Sequence, residues 1–197
     1  QPCQVRSAVA RQLGLLREAL GYINGSLIAA AARIAQKRHV QVLESDLARA
    51  FNGLLTKPAK ADKGCLAKAA LAEALNALDC HDAEVFLRGV RYIQEEPAYG
   101  RAVDTAARVR AECAIGLARI GHPQAARQIL PLLVDPEPEA RAASVRALVY
   151  LGGDPADLLL RLKALSGDNH PAVVGECLSA LMKPGSTTLP CASMTLL

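Results

Sequence analysis

The residues of this chain that can do chemistry are few and scattered. Four histidines stand at His39, His81, His122 and His170. The last three fall where one helical pattern stops and the next begins, a place that suits turn residues. The six cysteines, Cys3, Cys65, Cys80, Cys113, Cys177 and Cys191, form no Cys-x-x-Cys pair and no Cys/His cluster at zinc spacing. Ser144 and Ser179 have no neighbouring histidine. There is no Gly-x-Ser-x-Gly elbow and no glycine-rich phosphate loop. No catalytic residue, metal ligand or cofactor site is assigned, so an enzymatic role is left open but disfavoured. One arrangement does recur. An acid and a base stand six residues apart in Asp62/Lys68, Asp104/Arg110 and Asp135/Arg141. The acid can close a turn, and the base can reach the acid of a neighbouring unit. This structural use is preferred over catalysis. If the pairs are exposed, each contributes about 0–1 kcal/mol and sets register more than stability.

The pairs belong to a longer repeat. Asp104, Asp135 and Asp168 start lines that are 31 and 33 residues apart. Each Asp is followed by an apolar residue (Val109, Ala140, Val173), then a small one (Cys113, Ser144, Cys177), then a leucine (Leu117, Leu148, Leu181). Self-similarity at such a period marks a repeat array. Val109, Cys113, Leu117 and Ile120 share one face of a 3.6-period helix. Asp with Pro nearby is turn and cap chemistry, and Gly121 and Gly152 sit where a helix stops. Shorter amphipathic runs, 125–134 and 156–165, lie between the lines. Each unit is thus two helices and a tight turn. One such hairpin cannot bury its own apolar face, so neighbours must stack.

The rest of the chain fits this frame. Residues 4–20 read as one helix, with Val5, Val9, Leu13, Leu16 and Leu20 on a face. Residues 27–37 form an Ala-rich helix, and Ser45 is expected to cap another that runs to Leu55. Residues 57–63 are a basic connector. Asp62, Ala67, Leu71, Leu75 and Leu78 repeat the later pattern at an offset of 42. The extra residues fall at 95–102, read as a surface loop after a helix over 83–94. The expected units are roughly 1–37, 43–79, 82–121, 123–152 and 155–183, with an irregular tail over 184–197.

The pattern Asp-x-x-x-x-Val-Arg-x-x-small-Ala-x-x-Leu resembles the HEAT repeat, in the short bacterial form also seen in phycobilisome-lyase-like proteins. Val109-Arg110 with Ala114 and Leu117 carries the best match. Ala140-Arg141 is close, and Val173-Val174 lacks the expected Arg. The resemblance implies an all-α fold, a right-handed α-α superhelix or solenoid of helical hairpins. It implies a scaffold that holds other macromolecules. Deoxyhypusine hydroxylases of this kind bind iron through His-Glu dipeptides, and this chain has none. DNA glycosylases of this kind grip DNA with basic and aromatic side chains. Here Trp is absent and the tyrosines are Tyr22, Tyr92, Tyr99 and Tyr150. A phycobilin-lyase role rests on fold analogy alone.

Composition agrees with close-packed helices: hydrophobic residues make up 51% of the 197 and aromatics 3%. No apolar run reaches the roughly 18 residues of a membrane span. Gln1 opens the chain inside a helical pattern, which reads as a processed or truncated start. Cys113 and Cys177 lie two repeats apart, beyond the roughly 7 Å reach of a disulfide. Six free thiols point to a reducing, cytoplasmic setting. Residues 1–63 carry a net +6 and residues 64–197 a net −2. The basic third suits an acidic or nucleic-acid partner, but its charges are spread rather than massed.

In this family the second helix of each hairpin lines the concave side. By that resemblance the groove presents Arg108, Glu112, Ile115 and Arg119, then Glu139, Ala143, Arg146 and Tyr150, then Glu176, Ser179 and Lys183. Arg119, Tyr150 and Lys183 share one repeat position and are expected to form a row. Mixed charge around one aromatic suits a protein or peptide partner, where Tyr and Arg supply most of the binding energy. It suits nucleic acid less, because Glu112 and Glu176 repel phosphate. The loop with Tyr99 and Arg101 is the second candidate contact.

Overall fold

Alanine and leucine set the local structure. The run over 66–77 holds no β-branched and no aromatic residue, so it enters a helix at little side-chain cost. A computed structural model of the chain describes residues 2–57, 59–98 and 100–182. The helices, in chain order, are α1 Pro2–Gly21, α2 Gly25–Lys37, α3 Glu44–Leu55, α4 Leu66–Ala77, α5 Ala83–Gly89, α6 Ala107–Arg119, α7 Ala125–Ile129, α8 Pro138–Leu151, α9 Gly153–Ser166 and α10 Pro171–Leu181. Consecutive helices fold back on each other as hairpins. The inner helices α2, α4, α6, α8 and α10 pack in a row, each against the next. Each outer helix, α1, α3, α5, α7 and α9, covers its hairpin partner. The architecture is an all-α repeat array in two layers.

The core runs along the seam between the layers. Leu75, Leu117 and Leu148, at matching repeat positions, are each fully buried, whereas Leu181 is only half-buried. Among the described residues, α10 packs chiefly against α8 and α9. Gly116 shows how closely the layers approach. A Cβ there would stand 2.5 Å from the Phe86 ring of α5 and 2.8 Å from Asn76 Oδ1 of α4. Gly116→Ala is therefore expected to destabilise by about 1–3 kcal/mol, despite alanine's better helix propensity. A thermal melt reads this, and an unchanged midpoint would contradict the packing.

Several elements differ from the sequence reading. Ser45 does not cap α3. A single tight turn, Gln41–Leu43, runs straight into the helix, and the Glu44 N–H bonds to the Gln41 carbonyl. The helix expected over 83–94 stops at Gly89, and a turn at 90–91 and an irregular stretch over 92–94 lead into the next element. What was read as a loop is an antiparallel ribbon of β1 Glu95–Ala98 and β2 Arg101–Asp104. Its register pairs Glu95 with Asp104 and Ala98 with Arg101. Gly100, at φ +81°, supplies the left-handed residue that its turn needs. The run over 125–134 is α-helical only to Ile129 and tightens to 3₁₀ over Leu130–Val134. Pro131 explains the change, since it lacks an N–H and its ring crowds the carbonyl four residues back. The connector region contains tight turns at Ala59–Ala61 and Lys63–Cys65.

Candidate interaction surfaces

The repeated acids stand together along one edge of the array. Asp62, Asp104, Asp135 and Asp168 each precede an inner helix and accept backbone N–H groups at or just before its start. Asp62 accepts the Ala67 and Lys68 N–H groups at 2.8 and 2.9 Å. Asp104 takes the Ala106 N–H, Asp135 that of Glu137 and Asp168 that of His170, each at 2.9 Å. The bases then join one repeat to the next. Arg110 grips Asp135 with Nε and Nη2 at 2.8 and 2.9 Å, and its Nη1 reaches Asp104 at 2.6 Å. Arg141 grips Asp168 in the same way. Lys163 from α9 meets the same carboxylate at 2.7 Å.

The base does reach the neighbouring acid at Arg110 and Arg141. Two features of the ladder were not foreseen. First, it is buried: Arg110 is 4% exposed and Lys68 is fully enclosed. Paired guanidinium and carboxylate groups tolerate this because every charge has several hydrogen-bonding partners. Second, Lys68 holds its own Asp62 at 3.3 Å and never reaches Asp104. Gln94 carries the connection instead. Its Oε1 accepts from Lys68 at 2.9 Å, and its Nε2 donates to the Asp62 carbonyl at 2.8 Å. Its backbone N–H donates to Asp104 at 3.1 Å. A lone glutamine before a ribbon gives no sequence signal of that role.

The carboxylates along this edge respond to it. Burial acts to raise the Asp104 carboxyl, but the Ala106 and Gln94 N–H groups and Arg110 outweigh it and hold the group below its usual range. Arg141 first, then Lys163 and the His170 N–H, hold Asp168 well below the ordinary carboxylate range against the effect of burial. A depressed folded-state value adds stability above the unfolded value of about 3.9, and that contribution is lost as pH falls through the folded value. We expect the denaturant midpoint to fall with acidification below about pH 4. Asp168→Asn should start lower and lose less over that window. Parallel curves for the two proteins would remove Asp168 from the account.

The inner face carries a second set of links. Glu73 on α4 accepts from Gln36 of α2 at 3.2 Å and pairs with Arg108 of α6 at 3.1 Å. Asn76 donates to the Glu112 carbonyl and carboxylate at 2.8 and 3.1 Å. Burial, with Glu73 nearby, raises the Glu112 carboxyl, while Asn76 acts against it. Arg146 pairs with Glu176 across α8 and α10 at 2.7 Å. Arg119 stays exposed while it bonds back to the Asn76 carbonyl and Asp79. Ala143, read as a groove residue, is buried between helices. Tyr150 is 63% exposed. Arg101 is exposed on β2. Tyr99, Lys183 and the tail over 184–197 lie outside the described residues.

Cys65, Cys80, Cys113 and Cys177 are buried free thiols. Burial pushes Cys65 and Cys80 up to about 11 and raises Cys113 and Cys177 as well. Such thiols are poor nucleophiles and behave as small core residues.

Residues 100–182 match the family model for HEAT repeats. That part of the chain belongs to the HEAT-repeat family, and the same stacking of hairpins continues from α6 back to α1. No curated protein matches the chain. Among the described residues, no helix is long and apolar enough to cross a membrane.

Proposed function

We propose that the chain is a non-catalytic scaffold, a single array of hairpins that holds a protein or peptide segment against its inner helix face. HEAT repeats generally serve as protein-interaction scaffolds. The observation that carries the finer reading is Tyr150, a large aromatic left 63% exposed on an inner helix. Charged side chains of the inner helices pair with neighbouring units, Arg146 with Glu176 and Arg119 with Asp79. Mixed charge together with one exposed aromatic favours a folded or peptide partner. Glu73, Glu112 and Glu176 on the same face oppose a phosphate backbone, so nucleic acid is the weaker alternative. A cytoplasmic setting fits the buried thiols at Cys65, Cys80, Cys113 and Cys177.

The test is capture of a partner from native extract by the wild-type chain and by Tyr150→Ala. Loss with the variant supports the inner face. Retention by Tyr150→Ala but loss with Arg101→Glu moves the contact to the ribbon. A partner held by both variants rules out both surfaces. Salt-sensitive retention on DNA would favour the nucleic-acid alternative instead.

A further inference from the structure

The start of α2, the connector and the start of α4 enclose an open hollow of about 760 Å³ away from Tyr150. Its shape has a local cause. The connector returns to lie on the first turn of α2, where Gly25 has no side chain. A Cβ there would meet the Ala61 carbonyl at 3.1 Å. The connector is also clamped from its far side. Glu96 of β1 accepts the Gly64 N–H at 2.7 Å and binds Gln94 and Thr105. Gly64 and Cys65 both take left-handed backbone, with φ at +66° and +52°. For Cys65 this is an unfavourable conformation, held by the contacts around it.

Two properties of the hollow stand out. Its walls include Ile23 and Leu66, which are 74% and 58% exposed. Its lining also carries Lys57, Lys60 and Lys63. The acid within the lining, Asp62, is 3% exposed and is held by Lys68 and by backbone N–H groups, so it does not offset the lysines. Lys63 is partly balanced by Glu96 nearby. The hollow thus sets exposed aliphatic side chains beside three lysines with little opposing carboxylate.

We infer that this hollow docks an acidic protein segment, with an aliphatic side chain of the segment between Ile23 and Leu66 and its carboxylates facing Lys57, Lys60 and Lys63. The complementarity is both charged and apolar. A nucleic acid would satisfy only the first part. Base recognition on single strands uses aromatic stacking platforms, and the lining has none. The inference rests on the scaffold reading but not on the inner face, so the two can fail separately.

The probe is a short dye-labelled peptide of glutamates interrupted by leucines, titrated against the full chain by fluorescence anisotropy. Controls are the same peptide with serine for leucine and a labelled oligothymidylate of similar length. The expected result is saturable binding of the leucine peptide. Lys57→Glu, Lys60→Glu and Lys63→Glu together should weaken it by about tenfold or more, equivalent to about 1.4 kcal/mol. Ile23→Ser, at a position too exposed to affect folding, should weaken it as well. Tyr150→Ala should leave it unchanged. The proposal is overturned if the leucine peptide does not bind. It is equally overturned if both sets of variants bind as wild type, or if serine peptide and oligothymidylate bind as tightly as the leucine peptide. A thermal melt of the lysine variant separates lost binding from lost fold, and Ile23→Ser decides the matter if that variant melts early.

Discussion

Arg110→Ala is expected to be among the most damaging single changes in this chain, costing about 3–5 kcal/mol. The residue is 4% exposed and serves two carboxylates, Asp104 in its own repeat and Asp135 in the next. It also donates to the Tyr92 carbonyl at 3.0 Å. Truncation leaves two acids facing a space that has lost its cation. The charge rather than the bulk should dominate. Arg110→Met fills most of the volume yet should recover little stability. Adding Asp135→Asn to Arg110→Met should cost less than the two changes summed, because the second removes a charge that the first left unpaired. Chemical denaturation of the single and double variants measures the coupling. A loss below about 1 kcal/mol for Arg110→Ala would mean that the ladder behaves like a surface pair.

The second large effect lies in the seam between the layers. Leu117→Ala and Leu148→Ala are each expected to cost about 2–5 kcal/mol, from lost burial plus the cavity left behind. Both side chains are fully buried. Leu181→Ala, at the same repeat position, should cost clearly less because its side chain is only half-buried. The comparison is sharper than any single value. If Leu181→Ala matched Leu148→Ala, the repeat register would be wrong.

The hairpin array was legible because its signals are periodic. Asp104, Val109, Cys113 and Leu117 recur with the spacing of a helix face, and helix stops such as Gly121 and Gly152 take the left-handed backbone expected of them. The Asp–Arg ladder was legible for the same reason, since acid and base recur in phase with the core. Its burial was not, because exposure depends on how closely neighbouring hairpins approach. The ribbon was hidden for a different reason. Glu-Glu-Pro-Ala carries no alternation of apolar and polar residues, so nothing in its pattern reads as strand. Its stability comes from elsewhere, in the bonds that Glu96 makes to Gly64, Gln94 and Thr105. On the inner face, Arg108, Glu112 and Arg146 were identified by helical phase. Glu176 was named too, but its pairing with Arg146 was not, and Glu73 and Asn76 were not named, because such pairings depend on the neighbouring helix.

The ladder also bears on how the chain folds. Arg110 and Asp135 are 25 residues apart, Arg141 and Asp168 are 27, and Lys68 and Gln94 are 26. Every rung therefore closes a loop of one repeat, and none ties the first hairpin to the last. Such a low contact order favours rapid folding, with nucleation possible in any unit and growth to either side. It also weakens the coupling between distant units, so opening should begin at the ends and move inward. Native-state hydrogen exchange would record this as protection greatest in α4, α6 and α8 and declining toward α2 and α10. Uniform protection from α2 to α10 would instead mean that the array opens as a single block.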